Sequence, residues 1–222
     1  MRSIKPENWK YGELIGLVFV YAILLFNAFL FKDSFIAVLS AFFGITYTML
    51  AGKGNPKCYV FGVAGSGLYG WLALTNALWG NFCLYFLYYI PMQIIGFFKW
   101  KHHLKENRNE ILKSRLNIKE QLILLSLTVL LSIVAIIILN ITHDSSPMID
   151  GIVTVLSLVG MYLTVKRAIE QWVVWIVVNG LTSLMWINIV LSGEKTYSTV
   201  VMWVVYFILA IYFYREWKNE VV

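Results

Sequence analysis

The sequence has little of what catalysis, metal binding or a disulfide framework requires. Its 222 residues include two cysteines, three histidines and four prolines. Charge is missing over long runs: no Asp, Glu, Lys or Arg falls between Cys58 and Phe98, Gln121 and His143, Gln171 and Gly193, or Thr196 and Tyr214. A chain that is 59% hydrophobic and 14% charged cannot clothe a soluble domain of this length in polar side chains. An integral membrane protein is expected.

What the chain does have is apolar runs of spanning length. A hydrocarbon core about 30 Å thick takes about 20 apolar residues as helix. Eight segments qualify, at roughly 14–31, 34–52, 58–77, 81–99, 120–141, 146–165, 171–192 and 196–214. No small-residue cleavage pattern follows the first before Lys32 and Asp33, so it is read as a retained helix and not as a signal peptide.

The basic residues set the orientation. With both termini cytoplasmic, only Lys32 and Lys195 of the 18 Lys and Arg residues fall outside, and losing any one helix would scatter the rest over both sides. The net charge of +6 is therefore a topology signal. It gives no reason to expect nucleic acid, because the loop from Lys101 to Lys119 lacks interleaved aromatics and lies against an anionic leaflet.

In this layout Cys58 and Cys83 sit near opposite faces, too far apart for a disulfide. His102 and His103 adjoin the basic loop while His143 lies on the other side, so no metal and no other cofactor is expected.

The chain also repeats itself. Residues 34–100 set beside 145–217 pair Gly44 with Gly160, Trp71 with Trp186, Tyr89 with Tyr206 and Trp100 with Trp217. Each half holds three helices, and the single helix at 120–141 makes the two triplets point the same way. The expected organisation is an N-terminal segment with an extra helix (1–33), a first repeat (34–100), a basic loop and linker helix (101–142), a second repeat (143–217) and a tail (218–222). Parallel repeats of this 3+1+3 kind are a transporter architecture, with the substrate site near the midplane between the halves. Within the repeats' six helices Asp150 is the only titratable acid, and Ser183 has no His or Lys at its depth, so no catalytic residue is expected and the protein is read as no enzyme.

Two helix faces stand out. At 100° per residue, Tyr85, Tyr89, Gln93, Gly96 and Trp100 fall within about 80° of one another, as do Trp172, Trp175, Asn179, Ser183 and Trp186. Gln93 and Asn179 each lie about 5 Å to the cytoplasmic side of the midplane, so the two carboxamides are placed to line one pocket. A competing reading makes them interhelical hydrogen-bond partners. Trp79, Trp100 and Trp217, at segment ends, are expected to be interfacial anchors. Pro91 is expected to kink its helix, and Gly65 and Gly67 to allow close packing.

The stretches "WGNFCLYFLYYIPMQIIGFFKW" (79–100) and "EQWVVWIVVNG" (170–180) together resemble the paired signature of the PnuC family of bacterial nicotinamide riboside transporters. The resemblance implies a SWEET-like three-plus-one-plus-three core in the bacterial inner membrane, assembly as a homotrimer, and passive uptake of a vitamin that a cytoplasmic kinase then traps. It also implies substrate contacts from the two motif helices, with Gln171 and Trp175 among them. The substrate suits the residues: a pyridinium cation gains from aromatic faces, for which Trp172, Trp175, Tyr85 and Tyr89 are candidates and Trp186 a further neighbour. Its carboxamide suits Gln93 and Asn179, which offer both donor and acceptor. Thiamine, another aromatic cation carried by relatives, is the main alternative, and a ligand-sensing membrane protein a more distant one.

Overall fold

Long apolar runs leave the backbone no water to bond, so helices that satisfy their own N–H and C=O groups are the conformation open to them. The computed structural model describes residues 9–32, 35–75, 82–106, 110–141, 147–191 and 197–220. Trp79, His143 and Lys195 lie outside the described residues.

The eight helices expected are present: α1 (Tyr11–Phe31), α2 (Phe35–Gly52), α3 (Cys58–Thr75), α4 (Leu84–Tyr89 continuing as Ile90–Lys101), α5 (Ile118–Ile141), α6 (Pro147–Val165), α7 (Glu170–Leu191) and α8 (Tyr197–Glu220). Five of them, α1, α2, α5, α6 and α8, are long and apolar enough by themselves to cross a membrane. Where Pro91 was expected to kink α4, the structure shows a widened turn before it. Leu84–Tyr89 is π-helical, and the Ile90 amide donates to the Tyr85 carbonyl five residues back. A proline that removes one amide from the ladder is thus met by a local change of pitch.

Contacts between helices close a ring in the order α2, α3, α4, α6, α7, α8 and back to α2. The first helix of each repeat meets the last helix of the other. Outside the ring, α1 leans on α2 and α8, and α5 packs on α6.

The two repeats end their first helix in the same way. Gly54 N–H donates to Ala51 and Asn55 N–H to Leu50; Arg167 N–H donates to Thr164 and Ala168 N–H to Leu163. Each set is a Schellman cap, and its left-handed residue is Gly54 at φ 67° or Arg167 at φ 64°. This register pairs Lys53 with Lys166 and Tyr59 with Trp172, an offset of 113 residues that carries through α2–α3 and α6–α7. It differs from two of the sequence landmarks, since Gly44 now pairs with Ser157 and Gly160 with Tyr47. Tyr89 with Tyr206 and Trp100 with Trp217 hold in the third helices.

Residues 102–106 and 110–117 cross both caps as a strap. Ile111 N–H donates to the Gly54 carbonyl and Ser114 N–H to the Arg167 carbonyl, the equivalent atom of the other repeat. Ion pairs gather at the same end of the bundle: Lys53 with Glu13, Lys10 with Glu216, and Lys105 and Lys113 with Glu220. The start of α1, both Schellman turns, the strap and the end of α8 therefore share one face, called here the basic end.

That end is plugged by a cluster that includes Met49, Tyr59, Trp100, Ile111, Trp172, Phe213 and Trp217. Trp100 and Trp217 are fully buried, in contrast to the interfacial anchors expected. Each indole N–H reaches a helix-end carbonyl of the opposite repeat: Trp100 donates to Thr164 at 2.9 Å, a carbonyl that also accepts the Arg167 amide, and Trp217 donates to Gly52 at 2.7 Å. Gly65 does allow close packing, since a Cβ there would lie 3.3 Å from Phe43, whereas Gly67 faces open space.

Candidate functional site

Above this plug the ring encloses a cavity of about 830 Å³. All eight residues singled out from the sequence, Tyr85, Tyr89, Gln93, Gln171, Trp172, Trp175, Asn179 and Trp186, line it. The lining runs from Gln171 and Trp172 by the plug to Ile149 and Asp150 in the first turn of α6, and the α5 residues Ala135, Ile138 and Leu139 complete one wall. Among its described residues Asp150 is the one acid, and no Lys, Arg or His takes part.

The α4 side is built around glycine. Gly62 of α3 leaves room for Gln93, since a Cβ there would stand 3.1 Å from the carboxamide and 2.8 Å from the Tyr47 ring. Gln93 is 3% exposed, and its Nε2 donates to Ser66 Oγ at 3.0 Å. Its Oε1 is buried with no partner in the protein. Tyr85 stands edge-on to Tyr89 at 4.9 Å and lies against Tyr69 at 4.6 Å, and Tyr89 hydrogen-bonds Ser157.

The α7 side reverses the sizes. Trp175 fills the place that corresponds to Gly62 and presses on Gly160, which corresponds to Tyr47; a Cβ on Gly160 would lie 3.0 Å from the indole. The Trp175 N–H donates to Thr164 Oγ1 at 3.1 Å, and that hydroxyl donates to the Gly160 carbonyl at 2.8 Å. Trp172 packs on Phe213 at 5.5 Å and edge-on to Trp217 at 5.6 Å, and its Nε1 is buried without a partner. Asn179 is 5% exposed. Gln171 turns its Nε2 back to the Ala168 carbonyl at 3.0 Å, so part of its amide is spent on the turn.

Several lining residues escaped the sequence reading. Ser66 would have been found from the repeat register, because it is the counterpart of Asn179. Thr182 lines the cavity with an unpartnered buried hydroxyl, whereas Ser183 returns its own to the Asn179 carbonyl at 2.7 Å. Tyr47 and Trp203 also line the cavity with unpartnered buried polar atoms. Buried polar groups are nearly always bonded. Five of them left open around one cavity mark places for a ligand's donors and acceptors.

Comparison with known proteins agrees with this architecture. The profile of the family described as Nicotinamide mononucleotide transporter matches residues 34–219. The chain is 30% identical over 219 residues to the nicotinamide riboside transporter PnuC of Neisseria mucosa, covering 96% of this chain and 83% of that protein. To the PnuC of Haemophilus influenzae it is 25% identical over 217 residues, 97% and 93% of the two chains. The crystal structure of a vitamin B3 transporter PnuC superposes with a TM-score of 0.83 at 29% identity, over 96% of this chain and 92% of the other. With a family profile spanning both repeats and the linker helix, this chain belongs to the nicotinamide mononucleotide transporter family and is a multi-pass membrane transporter, not an enzyme.

Proposed function

We propose that the cavity carries nicotinamide riboside. The observation that carries this reading is the pairing of aromatic walls with an open carboxamide acceptor: Gln93 Oε1 is buried and free, within a lining that also holds Trp172, Trp175, Tyr85 and Tyr89. A desolvated pyridinium over such faces gains about 2 kcal/mol or more. The ligand's amide N–H answers Gln93 Oε1, and Asn179 offers both a donor and an acceptor to the rest of the amide or the ribose. Thr182 and the Trp172 N–H remain for ribose hydroxyls.

Transport in this reading is facilitated diffusion by a homotrimer in the bacterial inner membrane, with both termini and the basic end cytoplasmic. A coupled pump keeps titratable groups along its path; here Asp150 sits at the outer mouth and the deeper polar groups are amides, hydroxyls, phenols and indoles. Release inward requires the two repeats to rock apart at the α4–α6 and α2–α8 seams, breaking the Trp100–Thr164 and Trp217–Gly52 bonds. Accumulation then depends on a cytoplasmic kinase that phosphorylates the vitamin and feeds NAD biosynthesis.

Purified protein in liposomes tests both parts. Labelled nicotinamide riboside should equilibrate without exceeding the outside concentration at zero potential, whatever proton or sodium gradient is imposed, and unlabelled thiamine should compete poorly. Accumulation that follows the sign of either gradient refutes passive transport. Thiamine binding tighter than nicotinamide riboside refutes the substrate.

A further inference from the structure

A second recess, separate from the large cavity, opens at the basic end. It has a volume of about 340 Å³, and Lys99, His103, Arg115, Lys166, Arg167 and Glu120 stand around it. Retention of basic residues on one side of a membrane accounts for their number. It does not account for their convergence. Four other cations at this end meet carboxylates, Lys10 at Glu216, Lys53 at Glu13, and Lys105 and Lys113 at Glu110 and Glu220; what sets the recess apart is that its cations converge on one hollow. Around the recess four permanent cations share one carboxylate. Glu120 is engaged already, 3.7 Å from the Lys166 ammonium and accepting the Asn117 amide at 3.0 Å. Among the described residues neither Lys99 nor Arg115 has an ion-pair partner.

We propose that this recess binds a phosphate-bearing anion. The Arg115 fork and the Lys99 and Lys166 ammonium groups supply charge-assisted donors to phosphate oxygens. Arg167 is held in place, its Nη1 donating to the Leu112 carbonyl at 2.9 Å and its backbone in the left-handed cap. The volume admits a phosphate together with the sugar or glycerol it esterifies. Lys99 belongs to the first repeat and Lys166 and Arg167 to the second, so the anion would bridge the α4–α6 seam that the Trp100–Thr164 bond also closes. A bound anion therefore holds that seam shut and slows the carrier; this consequence rests on the transport reading, but the binding does not.

Two sources share the chemistry, a soluble phosphomonoester and an anionic lipid headgroup, and one experiment separates them. The full-length protein is placed in nanodiscs of phosphatidylcholine alone and titrated calorimetrically with ribose 5-phosphate. In parallel, discs that also contain phosphatidylglycerol are analysed by native mass spectrometry for retained lipid. The same measurements are made on Lys99→Gln/Arg115→Gln, with the melting temperature as the control for folding; if the double variant melts early, Arg115→Gln alone, a change to an exposed side chain, replaces it. Binding of ribose 5-phosphate that weakens at least tenfold in the variant and fades with added salt establishes the site with a soluble ligand. Phosphatidylglycerol retained by the parent and lost at least tenfold from the variant establishes it with a headgroup. Absence of both, or binding of either probe that the variant leaves unchanged, overturns the proposal.

Discussion

In the first repeat Tyr59 stands edge-on to Trp100 at 5.1 Å, and in the second Trp172 stands edge-on to Trp217 at 5.6 Å. Both tryptophans donate across to the opposite repeat, and both sit above a Schellman cap held by the same strap. Deeper in the membrane the halves stop matching and become complementary. Tyr47 and Gly62 in one repeat answer Gly160 and Trp175 in the other, and Gln93 answers Ala210. The volume is similar and its placement reversed. On the proposed transport reading, like parts form the floor that both halves open together, and unlike parts form the chamber that holds the cation.

The largest effect should come from erasing the difference. Gly62→Trp copies the second repeat's residue into the first, where Tyr47 and Gln93 already occupy the space. Overpacking of this kind costs up to about 3 kcal/mol and here also fills the chamber. Vitamin binding measured by calorimetry should be lost, with a lower melting temperature. Binding at the parent affinity would show that the space between Gly62 and Gln93 is not part of the site.

Removing the two carboxamides, which stand opposite Ala210 and Ser66 in the other repeat, comes next. Gln93→Ala and Asn179→Ala should each weaken nicotinamide riboside binding by about 1–3 kcal/mol, the cost of leaving a ligand group buried and unpaired. Trp175→Ala should weaken it more than Trp100→Phe, which lies in the floor. Unchanged affinity in both alanine variants would return the amides to the role of helix-to-helix contacts.

How much of this was legible beforehand follows from the same contrast. Apolar runs and basic islands report directly on a solvent, the bilayer, so the helix count and the gathering of termini and loops at one end could be read without tertiary knowledge. The faces of Gln93 and Asn179 could be read because helical periodicity is local. The register of the first helices could not, because its landmark was a glycine pair: Gly44 makes room for Tyr206 and Gly160 for Trp175, so each records the ring packed against it, not its counterpart in the other half. Trp100 and Trp217 misled for a similar reason. A tryptophan at a helix end suits the interface, but a helix-end carbonyl on the neighbouring helix suits its N–H better, and that carbonyl is invisible until the ring closes. Ser66 and Thr182 lack any local mark, being small hydroxyl residues defined only by the cavity they face.

The floor provides the converse test. Trp100→Phe and Trp217→Phe each remove one hydrogen bond between the repeats, at about 1 kcal/mol apiece. Because the two contacts are counterparts, the two variants should lower the melting temperature by similar amounts, and both should speed uptake into liposomes by loosening one seam. A clear inequality between them would show that one seam, not both, closes the inner end.

The smallest expected effect concerns the strap, whose two anchors are held by different chemistry. Next to Ile111, which bonds the first repeat's cap, Lys105 and Lys113 reach Glu220 and Glu110. At Ser114, which bonds the second, the direct bonds go to neutral carbonyls, Ser114 Oγ to Lys166 and Arg167 to Leu112, while the Glu170 carboxylate accepts the Leu116 amide two residues on. Burial pushes the Glu220 carboxyl up, but its bonds to Lys113 and Lys105 outweigh this and hold it at about 2, below the ordinary 4.5. A depressed carboxylate contributes stability that is complete above the ordinary value and is lost as pH falls through the folded one. The first anchor should therefore be firm at neutral pH and weaken between about 4.5 and about 2, while the bonds of Ser114 and Arg167 themselves use no carboxylate. Amide hydrogen exchange, corrected for the intrinsic rate at each pH, reads the two separately at Ile111 and Ser114. Acid should release Ile111 ahead of Ser114, and Glu220→Gln should bring Ile111 to its acid-like exchange already at pH 7. Equal release of both amides, or an Ile111 amide indifferent to Glu220→Gln, would mean that the strap is held by its backbone bonds and by the burial of Ile111 alone, and that the ion pairs beside it are solvated ornaments of a positively charged face.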